Sequence, residues 1–434
     1  MKILNWCSVT AIFVCFSYQF ILFLSAYVKK KKPIKETNDY RKYAVLISAR
    51  NEEAVIGNLI RSIRKQDYPK ELIDIYVLAD NCTDATAKVA KRCGAICYER
   101  FNTEYIGKGY ALDYLLKKMQ VEGKLEQYDG YYIFDADNLL DKSYIKEMNK
   151  VFNEGYQVVT SYRNSINSDE NWISTGYALW FLHESQFLNR GRMQFGSSCM
   201  VSGTGYMISG EIIKKMGGWP FHLLTEDIEF TGECILNGIR IGYCEDAVFY
   251  DEQPVTMKDS WNQRLRWVKG YFQVYKKCGK ALLNRFTRQK ETTDKFSCYD
   301  MLMTNLPAFI IIIFQALSMA ACFILGKALG LDTSFVPISA LRFVGGTCAG
   351  MFALALFTMY TERKQLNFSW KKKVIAAFSF PIFMWTYCVI AVVAIGKKVE
   401  WKQIAHRGDE NQGKIVQDSR FCRSIPYTET KLAK

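Results

Sequence analysis

The stretch YYIFDAD, residues 131–137, decides how the chain is read. Tyr131 to Phe134 is a short aromatic and β-branched run of the kind that forms a buried strand, and it stops on two carboxylates, Asp135 and Asp137. Two earlier stretches follow the same plan. YAVLIS (Tyr43 to Ser48) runs on through Ala49 to Glu53, and IDIYVLA (Ile73 to Ala79) runs on through Asp80 to Asp84. Helix-like stretches separate them, among them Glu53 to Lys65 and Tyr110 to Met119. This alternation, from about Tyr40 to about Ile241, predicts an α/β fold with a mainly parallel sheet covered by helices. Ligands of such sheets sit beyond the carboxyl ends of the strands, so the polar strand tails are where chemistry is expected.

Three tails then deliver carboxylates to one rim. Uncompensated, these would repel one another and raise each other's pKa; a divalent cation relieves the conflict. Carboxylates with phosphate oxygens are the ligands that Mg²⁺ or Mn²⁺ prefers. An Asp-X-Asp tripeptide is also a common surface turn, and its place after an apolar strand is what favours a functional reading.

Three further segments carry polar groups. Gly107-Lys108-Gly109 opens the helix from Tyr110, which suits a phosphate or a nucleotide base and equally suits a plain cap with a solvated lysine. Thr225-Glu226-Asp227 precedes a helix-like stretch to Asn237. It reads as an N-cap with two acids on the helix dipole, or as a carboxylate placed to act as a general base. In Gln263-Arg264-Leu265-Arg266-Trp267, helical spacing puts Trp261, Leu265, Val268, Phe272 and Tyr275 on one apolar stripe. Gln263, Arg266, Trp267 and Gly270 fall on the other face. A membrane-surface helix explains the stripe, but not a tryptophan on the polar face, which is a platform for a flat sugar ring beside an arginine suited to diphosphate.

The wider composition sets the context. The chain has 434 residues, 49% hydrophobic, with a formal net charge of +14. The ends are apolar and the middle reads as a soluble unit. Ile3 to Val28 is long enough to span a bilayer, and its length and the lack of a cleavage site favour a retained anchor over a signal peptide. Lys29 to Lys32 follow it directly and place the next part on the cytoplasmic side. Asn305 to Leu325, Val336 to Tyr360 and Val374 to Ile395 are further candidate spans, the last interrupted by Pro381. Three crossings would put the basic tail from Lys397 outside, against the charge rule, unless the Pro381 segment is re-entrant or interfacial. The positive charge gathers at membrane edges, which favours a lipid bilayer over nucleic acid as partner. The 14 cysteines are scattered without a CxxC pair and read as free thiols, and three histidines argue against a histidine-based metal centre.

Taken in order, SARNEE, ADNCTDAT, GKGYAL, DAD, SGTGYMIS (Ser202 to Ser209), TED and QRLRW resemble the family 2 glycosyltransferases, in particular the membrane-embedded β-polysaccharide synthases such as poly-N-acetylglucosamine, hyaluronan and cellulose synthases. The resemblance runs from about Tyr40 to Gly270. It implies a GT-A-like fold and inverting transfer of a hexose or N-acetylhexosamine from a UDP-sugar to a growing β-linked polysaccharide. It assigns Ala49, Glu52, Asp80, Lys108, Asp135 and Arg266 to the donor nucleotide and Asp137 to the metal, Mg²⁺ or Mn²⁺. Gly203, Thr204, Gly205, Glu226, Gln263 and Trp267 line the sugar and acceptor pocket, and Asp227 is the catalytic base. Ala79-Asp80 departs from the two acids common in the family. The TED form favours the cellulose and poly-N-acetylglucosamine types, and no PilZ-like domain is expected after Ile395.

The organisation implied is an anchor (1–28), a cytoplasmic GT-A unit (40–255), an interfacial amphipathic region (256–300), a C-terminal transmembrane region (301–396) and a basic tail (397–434). An alternative is single transfer to a lipid or glycolipid acceptor, as in ceramide glucosyltransferases; a second is a catalytically inactive membrane scaffold, against which the intact acids argue. With so few spans, product export would need a homodimer or an export partner.

Overall fold

The computed structural model describes residues 2–28, 33–305, 308–366, 368–401, 403 and 406. The Lys29 to Lys32 cluster and all of the basic tail after 406 lie outside the described residues.

Eight strands form one sheet: β1 (Tyr43–Ala49), β2 (Ile73–Asp80), β3 (Ile96–Arg100), β4 (Gly130–Asp135), β5 (Leu139–Leu140), β6 (Val158–Ser165), β7 (Tyr206–Ser209) and β8 (Ile241–Asp251). Their order is β3-β2-β1-β4-β7-β6-β8-β5. The first four are parallel neighbours, β7 runs antiparallel between β4 and β6, and β6 pairs in parallel with β8. The three strands with acidic tails are therefore side by side. Their register levels the tails, since Ser48 pairs with Asp135 and Ala49 with Ala79.

Both faces of the sheet are covered, which is why its central strands read as unbroken apolar runs rather than alternating ones. In chain order the first helices are α1 (Lys2–Val28), α2 (Ile56–Arg64), α3 (Thr86–Arg92), α4 (Lys108–Val121) and α5 (Tyr144–Asn153), and Val45, Ile47, Val77, Tyr132 and Phe134 pack on one side of the sheet with α2, α3 and α5. Leu46, Leu78 and Ile133 pack on the other with Leu112 and Leu116 of α4, and with α6 (Trp172–His183). The chain then forms α7 (Arg190–Phe195), α8 (Gly210–Met216), α9 (Glu226–Leu236), α10 (Met257–Arg288), α11 (Thr292–Asn305), α12 (Ala308–Ala328), α13 (Phe335–Thr361) and α14 (Trp370–Gly396). Between α6 and α7 the helix widens into a π-helical segment, Glu184–Asn189.

Among the described residues, α13 and α14 are long and apolar enough to cross a membrane. The apolar parts of α1 and α12 are shorter, Phe13–Val28 and Ile312–Ala328. The outer helices are not appended loosely. A Cβ on Gly191 of α7 would lie 2.3 Å from the Leu22 carbonyl oxygen, so only glycine lets α1 dock there. The buried Arg192–Asp300 pair, at 2.6 and 3.0 Å, ties α7 to α11.

Helix α14 packs along its length against the α/β unit. Near its start Lys372 pairs with Asp169 at 2.8 Å. In its middle the Phe383 ring fills the space beside Gly176 of α6, and the buried Arg264 of α10 donates to the Phe383 carbonyl (3.2 Å) and the Thr386 hydroxyl (2.6 Å). At its end Lys269 donates to the Ala394 carbonyl at 2.9 Å. The start of the Pro381 segment thus meets the α/β unit, and its end meets α10.

The amphipathic stripe of α10 is only partly as expected. Leu265 and Val268 are buried against Ile390 and Ala391 of α14, with Trp261 and Phe272 beside them. Tyr275 is exposed and does not belong to that contact.

Candidate active site

One cavity, of about 420 Å³, opens beyond the carboxyl ends of β1, β2 and β4. Its lining includes Ala49, Glu52, Asp80, Lys108, Asp135, Asp137, Gly203, Glu226, Asp227, Gln263, Arg266 and Trp267. Thr204 and Gly205 stand behind that wall. The Thr204 hydroxyl accepts from the Asp135 backbone N–H at 2.9 Å and meets the Asn138 side-chain oxygen. Gly205 has φ +67°, and a Cβ there would sit 2.2 Å from the Phe249 ring.

The donor side is built from the strand tails. Gly107, with φ +135°, precedes α4 and sets Lys108 as its first residue. The Lys108 ammonium donates to the Asp135 carboxylate and to the Gly203 carbonyl (2.7 Å), joining β4 to the loop before β7. Asp80 is buried and paired with Arg100 at 2.7 Å; burial raises its pKa against the pull of that arginine. Glu52 is held by His406, whose Nδ1 lies 2.8 Å from Oε2.

Asp137 is buried beneath them. Its Oδ2 accepts from the Glu252 backbone N–H at 3.1 Å and lies 3.8 Å from His406 Nε2. Burial pushes its carboxyl up to about 7; His406 opposes this, and Asp251, Asp135 and Glu52 add to it. For His406, burial acts downward, but Asp137 and Glu52 outweigh it and raise the imidazole to about 10. An acid raised this far and a histidine drawn to it mark a place where positive charge is wanted.

These groups fit a divalent cation. His406 stands between two carboxylates, with Nδ1 toward Glu52 and Nε2 toward Asp137, and once its proton is lost Nε2 would be free to join Asp137 on a cation. Among the described residues no cluster of three or more such side chains is spaced to hold a metal alone. A pair that leaves the other positions to phosphate oxygens and water is the usual situation for Mg²⁺ or Mn²⁺.

Across the cavity, α9 starts with Glu226 and Asp227. Thr225 makes no side-chain capping bond; a Cβ on Gly270 of α10 would lie 2.5 Å from its hydroxyl. Thr225 thus occupies the N-cap position without a side-chain cap, while Glu226 and Asp227 lie in the first turn as the capping alternative expected. Burial, then Asp227, pushes Glu226 up to about 7, and burial raises Asp227 as well, while Lys108 and Arg266 pull both down. Arg266 donates to the Leu224 carbonyl at 2.9 Å. Trp267 stands edge-on to Tyr177 and Phe181, which fix its ring at the cavity wall.

Several site residues had no motif to announce them. Arg163 on β6 donates to Asp251 and to the Ser202 carbonyl, and lies 3.5 Å over the Phe181 ring. Glu184 begins the π-helical segment and accepts from the Ser202 hydroxyl at 3.2 Å. Trp401, Gln403 and His406 come from the start of the tail: Arg50 sits over the Trp401 ring, and Gln403 donates to the Asn51 carbonyl at 3.0 Å. A lone acid in the apolar run WFLHESQFL was the one available signal for Glu184.

Residues 41–270 match the family described as glycosyltransferase-like family 2. A probable glycosyltransferase of Bacillus subtilis, YdaM, is 27% identical over 53% of this chain and 55% of its own length. A beta-monoglucosyldiacylglycerol synthase of Synechocystis is 24% identical over 60% of this chain and 54% of its own length. A poly-beta-1,6-N-acetyl-D-glucosamine synthase of Staphylococcus aureus is 22% identical over 57% and 59%. The chain thus spans a little over half the length of the curated relatives it matches. Among solved structures, the mannosyltransferase PcManGT of Pyrobaculum calidifontis, in complex with GDP-Man and Mn²⁺, is similar in fold, with a TM-score of 0.59 at 17% identity over 91% of this chain and 99% of that one.

The chain belongs to glycosyltransferase-like family 2. Its mainly parallel sheet, with the site at the strand ends, is the GT-A type of fold that this membership and that structural likeness share.

Proposed function

We propose that this protein transfers a hexose or N-acetylhexosamine from a UDP-sugar, with inversion, to an acceptor hydroxyl at the cytoplasmic face of a cell membrane. The observation that carries the reading is the meeting, in one cavity, of the Glu52–Asp80–Asp135–Asp137 rim with Asp227, Arg266 and Trp267. The first group suits a nucleotide diphosphate and its cation. The second suits a sugar acceptor and the charge of a leaving diphosphate.

Asp227 takes the proton of the acceptor hydroxyl as that oxygen attacks C1 from the side away from the diphosphate. The new C1–O bond forms as the C1–phosphate oxygen bond breaks, and the leaving nucleotide carries off the electron pair. A raised pKa makes Asp227 a stronger base near neutral pH. Arg266 and Lys108 meet the charge growing on the diphosphate, and Trp267 holds a sugar ring in place. A divalent cation held by Asp137 and His406 would add Lewis-acid stabilisation of that same charge. Base catalysis contributes about 10²- to 10⁴-fold, so positioning and diphosphate stabilisation must supply most of the acceleration.

Two acceptors are open to this chemistry. The poly-beta-1,6-N-acetyl-D-glucosamine synthase relative supports a growing β-linked polysaccharide, with a second copy or an export partner forming any channel. The beta-monoglucosyldiacylglycerol synthase relative supports a lipid. The organisation proposed is an anchor (1–28), a cytoplasmic GT-A unit (40–255), an interfacial region (256–300) and a multi-pass C-terminal region (301–396).

The test is a donor screen with the membrane-reconstituted protein, Mn²⁺ or Mg²⁺, and a panel of UDP-sugars with GDP-mannose as comparison. Release of UDP coupled to sugar transfer is expected. No nucleotide release from any donor would mean the chain is a scaffold.

A further inference from the structure

We infer that Arg100, which stands behind the cavity wall, is a positioning residue for the donor base: it holds the Asp80 carboxylate as a hydrogen-bond acceptor and so sets a preference for uracil over cytosine. This rests on the UDP-sugar reading above and adds a residue to it.

The pair is built by register. Asp80 and Arg100 are the last residues of β2 and β3 and face each other across that parallel pair. Both are buried, and one arm of the Arg100 guanidinium donates to Asp80 Oδ1 at 2.7 Å. The other arm donates to the Tyr105 carbonyl, also at 2.7 Å. The next residue locks the corner. The Asn81 backbone N–H donates to the Arg100 carbonyl at 2.8 Å, and the Asn81 side-chain oxygen accepts from the Asn102 N–H at 2.8 Å.

Asp80 still reaches the cavity. It ends β2, two strands from Asp135 on β4, which is about 10 Å along the rim at the usual spacing of neighbouring strands. With the diphosphate at Lys108 and the cation at Asp137, that offset puts Asp80 at the base end of the nucleotide. Oδ1 belongs to Arg100, so the base meets Oδ2. Uracil presents its N3–H there, and cytosine presents the bare N3 lone pair. An ionised carboxylate only accepts, so it pairs with the first and repels the second. A neutral carboxyl carries an O–H that can donate to the second.

The charge on Asp80 therefore decides which pyrimidine fits. Burial drives its carboxyl toward the neutral form, and Arg100, then Arg50, oppose this. Among the described residues, the charged and titratable groups facing it are these two arginines and the Cys82 thiol. Arg50 also sits over the Trp401 ring, whereas Arg100 is in direct contact with the carboxylate. An arginine that only braced the corner through Tyr105 would leave base preference untouched.

The experiment measures Mn²⁺-dependent binding of UDP and CDP to the full chain in nanodiscs, by calorimetry at several pH values. The native protein should favour UDP about 10- to 100-fold, the contribution of one hydrogen bond to a charged group. Arg100→Met should lower that ratio about tenfold near neutral pH, and the ratio should recover as pH rises and the carboxyl ionises. Arg100→Lys, which keeps the charge but not the fork to Tyr105, should retain most of the preference. Asp80→Asn, whose amide both accepts and donates, should bring the ratio close to one and serves if Arg100→Met does not fold. Retained binding of either nucleotide shows that a variant is folded. The native ratio kept in folded Arg100→Met or Asp80→Asn, or no preference in the native protein, overturns the role of Arg100 and leaves the transfer reading standing. No binding of either nucleotide, with no release from any donor, overturns both.

Discussion

His406 Nδ1 lies 2.8 Å from Glu52 Oε2, although 354 positions separate the two in the chain. The contact brings the start of the tail onto the donor rim and turns Nε2 toward Asp137. His406→Ala is expected to weaken Mn²⁺-dependent UDP binding about 10- to 100-fold, the usual cost of losing a metal's supporting groups. Because His406 is raised to about 10, cation binding must expel its proton, so affinity should climb with pH in the native protein and much less in the variant. Calorimetric titration of UDP at several pH values checks both.

Asp227→Asn should keep UDP binding and lose transfer by about 10²- to 10⁴-fold. Asp137→Asn should lose cation-dependent UDP binding first. Single-turnover transfer beside equilibrium binding separates the two; normal transfer by purified Asp227→Asn removes the base assignment.

Glu226 is pushed up to about 7 and Asp227 is raised beside it, both by burial first. A carboxyl raised on folding stays neutral when the unfolded chain would ionise. Its stabilising effect is full below the ordinary value of 4.5 for Glu226 and is lost as pH rises through about 7. Asp227, raised in the same direction by burial, serves as the base only once it has ionised. Activity should therefore increase from acid to neutral pH while the nucleotide-free protein becomes less thermostable, and Glu226→Gln should flatten the stability trend.

Arg192→Ala should cost about 3–5 kcal/mol, because it strands the wholly buried Asp300 carboxylate. Arg192→Met combined with Asp300→Leu should recover most of that loss. Thermal denaturation in a fixed detergent reads both.

Gly205→Ala forces a methyl group against the Phe249 ring at a positive φ. It should lower stability and distort the Gly203 turn that Lys108 holds, reducing donor affinity more than a substitution at the open Gly217.

Much of the fold could be read from local pattern. Tyr43–Ala49, Ile73–Asp80 and Gly130–Asp135 are strands because runs buried on both faces need no alternation, and their acidic tails meet because those strands are neighbours. The spans expected at Val336 and Val374 correspond to α13 and α14. What sequence could not give was assembly at a distance. Arg163 reads as an ordinary strand residue until Asp251, on the neighbouring strand β8, claims it. His406 sits in a stretch without periodicity, and nothing near it in sequence points to Glu52. The end of the α10 stripe was misjudged because helical spacing assigns a face but not the length of the partner; α14 covers Leu265 and Val268 and does not cover Tyr275.

The wall beside Glu184 is lent by α1, α11 and α14 rather than by the sheet. On the membrane reading proposed above, lateral pressure in the bilayer bears on α1 and α14. Detergents that relieve this pressure will splay the wall, so catalytic constants measured in micelles should depend on detergent chain length even where the donor affinity does not.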